Sequence, residues 1–226
     1  KSADTLLGKI KDPKDFNYLI RLAKWSDHEG NLDAAIKYLE QAKQIAEERD
    51  NKSLKLWIYS NIGDFYGHAG RLEDSYNSYL KTLELEPDNH YVKKQIAWMV
   101  YSAEKNTEEA NRILDSIMVN HKAPDYHLLK AERAAYNENI SEEEKQYELF
   151  LKKAENPDYG AMYNTYLINL YAEKDPEKAL KLAAIEINNR ATPETYQLLA
   201  YAQLKVGHKE AALKTIEEYV AGKTEE

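Results

Sequence analysis

Residues 56–89 read LWIYSNIGDFYGHAGRLEDSYNSYLKTLELEPDN, and this stretch decides the fold. Apolar residues recur at helical spacing on both sides of Gly70, which can supply a turn because glycine tolerates a positive φ. Pro87 ends the second half, since proline does not continue a helix. The stretch therefore predicts two antiparallel helices, and the small residues Gly63 and Ser75 should let them approach closely.

The same pattern recurs along the chain. The predicted second helices share a face whose members are four and then three residues apart, the spacing of one side of a helix. It occurs six times, as Ala35-Leu39-Ala42, Ser75-Tyr79-Thr82, Ala110-Leu114-Ile117, Tyr147-Leu151-Ala154, Ala179-Ala183-Glu186 and Ala212-Ile216-Tyr219. The turn glycine recurs as Gly30 and Gly207. The chain is therefore expected to be a repeat protein.

This repeating helix–turn–helix resembles the tetratricopeptide repeat family, whose unit is about 34 residues long. The resemblance extends over residues 16–222 and implies an all-α fold, a right-handed α-solenoid of about six antiparallel helix pairs. Repeats are expected to start near residues 16, 56, 90, 123, 160 and 193. A leading arm or short helix is expected at 1–15 and a tail at 223–226. The fourth repeat departs most from the family pattern, because Tyr147 replaces the usual alanine.

Composition excludes several classes of function. The 226 residues include 31 Lys+Arg and 39 Asp+Glu, for a net charge of −8, which argues against a nucleic-acid partner. The absence of cysteine excludes thiolate zinc sites, iron–sulfur clusters and cysteine nucleophiles. Apolar runs are only a few residues long, so no membrane-spanning segment is expected.

No catalytic motif stands out in the sequence. A nucleophile elbow, a phosphate-binding glycine loop and a paired-histidine zinc motif are all missing, so the chain is expected not to be an enzyme and to need no cofactor. His121 and His127 flank Asp125 in HKAPDYH and could bind a metal ion. Their six-residue spacing across a turn favours ordinary loop histidines, and no metal site is predicted.

The aromatic content points to a binding surface. The 18 tyrosines and 3 tryptophans exceed what the repeat pattern needs. In tetratricopeptide repeat proteins the first helices line a concave groove, and carrying this over implies a groove formed by Trp57, Asn61, Asp64, His68, Tyr91, Gln95, Trp98, Tyr101, His127, Asn164, Tyr171 and Tyr201. Tyrosine and tryptophan combine apolar area with a polar group, which suits recognition. The alternative interpretation is that these rings fill gaps between repeats.

The leading functional hypothesis is a non-enzymatic interaction module that binds a peptide or segment of a partner protein in this groove. One alternative is an assembly or structural subunit that associates through its ends. Weak self-association through partly exposed Leu204, Val206 or Val220 is expected under that alternative. Another is a metal- or small-ligand-binding accessory protein that uses the His121–His127 region.

A second resemblance concerns localisation. Three runs are similar to tetratricopeptide repeat proteins that bacteria export, often as lipoproteins: AWMVYSAEKNTEEANRIL (97–114), APDYHLLKAE (123–132) and NRATPETYQLLAYAQLKVGHKEAAL (189–213). This similarity implies a periplasmic or outer-membrane-anchored protein. The alternative is a cytoplasmic one.

Overall fold

A computed structural model describes residues 12–223, and every regular element within them is helical. The α-helices are α1 (Phe16–His28), α2 (Leu32–Glu48), α3 (Lys52–His68), α4 (Leu72–Leu85), α5 (His90–Ser102), α6 (Thr107–Met118), α7 (Asp125–Tyr136), α8 (Ile140–Ala154), α9 (Asn164–Lys174), α10 (Pro176–Asn189), α11 (Pro193–Val206) and α12 (Lys209–Tyr219). A 3-10 turn at Pro157–Tyr159 precedes α9. The predicted all-α class with six helix pairs is confirmed within these residues.

Two helices start away from their predicted positions. Helix α3 begins at Lys52 rather than near residue 56, because the Asn51 side chain caps it by accepting from the backbone N–H of Leu54. Helix α9 begins at Asn164 rather than near 160, because the 3-10 turn comes first. Residues 1–11 of the predicted leading arm and 224–226 of the tail lie outside the described residues.

The described residues form two compact units, the first ending at Leu129 and the second beginning at Lys130. The core of the first compact unit contains the periodic apolar faces of its helices, including Leu19, Leu39, Ile58 and Ile62. The predicted faces of α2, α4 and α6 are all buried. Burial of these faces between neighbouring helices is what a repeat requires, since one helix pair cannot cover its own apolar side.

The prediction of the buried face of α8 is wrong at two of its three positions, each of which is displaced by one residue. The buried side consists of Gln146, Phe150 and Ala154, whereas Tyr147 and Leu151 are only half-buried. Phe150 occupies the interior because its ring packs edge-on against Tyr163, with 5.8 Å between ring centroids. The large ring of Phe150 therefore determines which side of α8 faces the interior.

The last helix pair also differs in part from expectation. In α12 the buried positions are Ala212 and Thr215, and Val220 just beyond the helix is buried rather than exposed. Tyr219 is half-buried because it stacks on Tyr196 at 4.0 Å between centroids. Leu204 is exposed, as predicted.

Turns and caps explain where the helices begin and end. Gly30, Gly70 and Gly207 adopt the positive φ predicted for turn glycines. Lys105 and Glu138 take the same left-handed conformation in the third and fourth repeats, which hides the turn from sequence inspection. Asparagine side chains accept from the backbone N–H three residues later at five helix starts, those after Asn31, Asn51, Asn89, Asn106 and Asn139.

Two helices approach each other closely at Gly63 in α3. A Cβ atom there would lie 2.5 Å from Cε1 of Tyr79, whose ring is buried in α4. A Cβ at Gly67, one turn later, would meet only the Oγ of Ser75 at 3.5 Å. Gly63 thus makes room for the Tyr79 ring, and Gly67 rather than Gly63 faces Ser75.

These two glycines form a matched pair for a stability test. We expect Gly63→Ala to destabilise the fold by about 1–3 kcal/mol, because the buried and hydrogen-bonded Tyr79 ring cannot move aside. Gly67→Ala should be neutral or stabilise by up to about 1 kcal/mol, since alanine favours a helix interior where there is space. Urea unfolding monitored by circular dichroism measures both. Equal effects of the two substitutions would contradict the close approach.

Candidate functional site

Six predicted groove residues share one surface of the first compact unit. We call this surface the aromatic face; it consists of Asn61, Asp64 and His68 on α3 and Tyr91, Gln95 and Trp98 on α5. Within each helix their spacings of three, four and seven residues place them on one side. The Tyr91 hydroxyl donates to Asp64 Oδ2 at 2.6 Å and so joins the two helices.

The aromatic face presents two accessible rings. Trp98 is 48% exposed and Tyr91 is 39% exposed, while His68 is also exposed. Asn61, Asp64 and Gln95 are half-buried between them. The surface therefore combines apolar area with hydrogen-bonding groups.

Asp64 is the polar centre of this face. Its carboxylate accepts from the hydroxyl of Tyr79 at 2.7 Å as well as from Tyr91. Burial and the Asp64 carboxylate raise the pKa of Tyr91 to about 12, and the same causes raise the pKa of Tyr79. Both hydroxyls therefore stay protonated at neutral pH and act as donors to Asp64.

The other three predicted residues of the first compact unit occupy packing positions. Trp57 is partly buried and contacts Phe16 of α1 edge-on, with 5.8 Å between ring centroids. Tyr101 and His127 are buried. Their rings fill space between helices, which was the alternative interpretation of the aromatic content.

The three predicted residues of the second compact unit have internal partners. Buried Asn164 donates to Glu186 Oε2 at 2.7 Å, which is a structural contact. Tyr171 is buried and donates to Glu155. Tyr201 is half-buried and donates to Glu173, and it alone of the three lines an open cavity.

That cavity has a volume of about 1130 Å³ and lies among α9, α11 and α12. Its apolar lining includes Leu198, Leu204, Leu213 and Ile216. Thr165, Asn169 and Gln197 add polar groups. The sequence did not predict this cavity, although the expected exposure of Leu204 pointed to an apolar surface here.

The histidines do not gather as a metal site would require. The ring of His121 lies 4.0 Å from that of His90, whose Nδ1 is 3.2 Å from the Tyr126 hydroxyl, and His127 is buried. Burial and neighbouring His121 lower the pKa of His90. Across residues 12–223, no three side chains of histidine, cysteine, aspartate or glutamate are arranged to hold a metal ion.

In the same range, no helix has both the length and the apolar character needed to cross a membrane.

Two segments of the chain, residues 17–49 and 58–89, match the family model of the tetratricopeptide repeat. They coincide with the first two helix pairs, which carry the turn glycines Gly30 and Gly70. The chain therefore contains tetratricopeptide repeats. Tetratricopeptide repeat folds generally serve as protein-interaction or scaffold modules, and the family is generally non-enzymatic.

Solved structures share this fold at low sequence identity. A tetratricopeptide repeat protein from Parabacteroides merdae is 17% identical, with a TM-score of 0.52 over 90% of this chain and 78% of that chain. The human IFIT1 dimer with m7Gppp-AAAA is 17% identical, with a TM-score of 0.51 over 91% of this chain and 53% of that chain. This chain thus spans about half of the IFIT1 chain, and the likeness to both concerns the fold alone. No curated protein matches the sequence.

The two tryptophans of the predicted groove should behave differently on substitution. We expect Trp98→Ala to change the free energy of unfolding by no more than about 0.5 kcal/mol, because its ring is widely exposed. Trp57→Ala should cost about 3 kcal/mol, because its ring packs on the core. Chemical denaturation followed by circular dichroism checks both values. A large loss for Trp98→Ala would place that ring among the packing residues instead.

Proposed function

We propose that this chain is a non-enzymatic interaction module that binds an extended segment of a partner protein on the aromatic face. The observation that carries the proposal is the exposure of Trp98, at 48%, on the same helix, α5, as the exposed Tyr91. Tryptophan and tyrosine dominate the binding energy of many protein interfaces. Asn61, Gln95 and His68 supply hydrogen-bonding groups around them.

Rigidity supports the same proposal. The side chain of Tyr91 on α5 is held by its hydrogen bond to Asp64 on α3, and Asp64 is held in turn by Tyr79. A side chain that is ordered before binding loses little conformational entropy when a partner arrives. The aromatic face is therefore suited to binding without rearrangement, which is how stacked helical repeats generally present a surface.

A second candidate function is assembly through the last helix pair. Leu204 and Leu213 are exposed by 49% and 60% at the apolar cavity of the second compact unit. Exposed apolar groups gathered in a concave surface are typical of interaction sites. A second copy of the chain is the occupant that this candidate requires.

For localisation we propose export to the periplasm, with or without an outer-membrane anchor, on the strength of the similarity of residues 97–114, 123–132 and 189–213 to exported bacterial relatives. A cytoplasmic location is the alternative. Cell fractionation of the native organism, followed by immunoblotting, separates the two.

The binding proposal is tested with a matched pair of exposed aromatic residues. Tyr76 of α4 is 42% exposed and lies outside the aromatic face. A partner captured by the wild type should be kept by Tyr76→Ala and bound about 30-fold more weakly by Trp98→Ala, the effect of losing an anchor worth about 2 kcal/mol. Calorimetry with the captured partner measures this ratio. Equal affinity of both variants would count against the aromatic face.

The assembly candidate is tested by sedimentation equilibrium over a wide range of protein concentration. We expect weak self-association of the wild type, and its loss in the Leu204→Ser, Leu213→Ser double variant. Ile185→Ser is the control, because Ile185 is 54% exposed but does not line the cavity. A wild type that stays monomeric at every concentration would exclude this candidate.

A further inference from the structure

Four tyrosines each belong to a group of three side chains, and the four groups have the same arrangement. In each, the tyrosine hydroxyl donates to a carboxylate, and a lysine or arginine pairs with that carboxylate while lying over the tyrosine ring. The cation is 2.5–3.7 Å from the carboxylate and 3.9–5.3 Å from the ring centroid. We call these the triads; they are Tyr59–Glu47–Lys81, Tyr66–Glu40–Arg71, Tyr171–Glu155–Lys178 and Tyr201–Glu173–Lys205.

Asp64 departs from this arrangement. It accepts from two tyrosine hydroxyls, those of Tyr79 and Tyr91, yet within residues 12–223 no lysine, arginine or histidine forms an ion pair with it. Nor does a cation of that part of the chain lie over either ring. Asp64 therefore has the tyrosines of a triad but lacks the cation.

The position of Asp64 allows a cation from another molecule to reach its carboxylate. The carboxylate is half-buried on the aromatic face, so a partner's side chain can reach it. A carboxylate offers about four lone-pair sites, and two hydroxyl donors leave acceptor capacity for a guanidinium or ammonium group. The exposed ring of Tyr91, whose hydroxyl donates to Asp64, lies at the same position and attracts a cation through its face.

We propose that the partner segment supplies the missing cation, as an arginine or lysine side chain that pairs with Asp64 and lies over the ring of Tyr91. This inference rests on the proposed function and names the chemistry of its partner. The net charge of −8 favours the approach of a basic segment. The other tyrosine-bound carboxylates of the triads already have internal cations and do not require one from a partner.

The test begins with selection of phage-displayed random 12-residue peptides on the wild-type protein. We expect the selected peptides to share a basic residue at one fixed position. One of them is then synthesised with that residue and with an uncharged counterpart, citrulline for arginine or acetyl-lysine for lysine. The wild type should bind the charged form about tenfold or more tightly, the effect expected of a hydrogen bond to a charged group.

The variant that probes the contact is Asp64→Asn, which keeps the size of the side chain and removes its charge. It should bind both peptide forms with affinities that agree within about twofold. Glu47→Gln is the matched control, because Glu47 also accepts from a tyrosine but already has Lys81 at 3.7 Å. This control should keep the preference for the charged peptide. Circular dichroism confirms folding, and if Asp64→Asn fails to fold, the two peptide forms compared on the wild type still test the proposal.

The outcomes separate this inference from the proposed function. Peptides that lose binding in Trp98→Ala but carry no basic residue, or whose charge preference survives in Asp64→Asn, overturn the inference and leave the binding face in place. If no selected peptide depends on Trp98, both proposals fail. Selection of arginine or of lysine at the fixed position tells which cation the face accepts.

Discussion

The hydrogen bond from a tyrosine hydroxyl to a carboxylate on a neighbouring helix is the interaction on which the packing of this protein depends. Tyr66 reaches Glu40 and Tyr59 reaches Glu47, and both bonds join α3 to the preceding repeat. Burial of the ring and the nearby carboxylate raise the pKa of Tyr59 to about 12, so the hydroxyl remains a donor. A buried hydroxyl without an acceptor would be costly, and the paired carboxylates remove that cost. Tyr59 and Tyr66 therefore hold repeats together rather than line a groove.

The sequence was sufficient to predict the parts of the fold that follow from backbone geometry. The four-and-three spacing gave the buried faces of α2, α4 and α6, because residues at that spacing lie on one side of any α-helix. The same reasoning failed in α8, where Tyr147 and Phe150 are both large and aromatic. Which of the two is buried depends on the fit of the Phe150 ring against Tyr163, and that contact lies outside any local pattern.

The site was harder to predict than the fold because exposure depends on neighbours. Trp57 and Trp98 both belong to first helices, and their local sequences do not reveal that Phe16 covers one of them. The tyrosine partners were equally hidden, since Tyr66 and Glu40 are 26 residues apart. Asp64 and Tyr91, two of the residues predicted for the groove, are joined by a hydrogen bond between α3 and α5.

In the function proposed above, Asp64 is a binding site that a repeat protein acquires without changing its fold. The gap at Gly63 admits the Tyr79 ring, and the ring carries its hydroxyl to Asp64, so close helix packing itself fixes the position of the carboxylate. The hydrogen bonds that join α3, α4 and α5 do not depend on a cation. A triad that lacks its lysine or arginine therefore keeps its structural role and leaves a negative charge for another molecule to neutralise. Since surface ion pairs contribute little to stability, losing the internal cation costs the fold about 1 kcal/mol or less. In the proposed function, the same absence of a cation gives the aromatic face a preference for a basic segment.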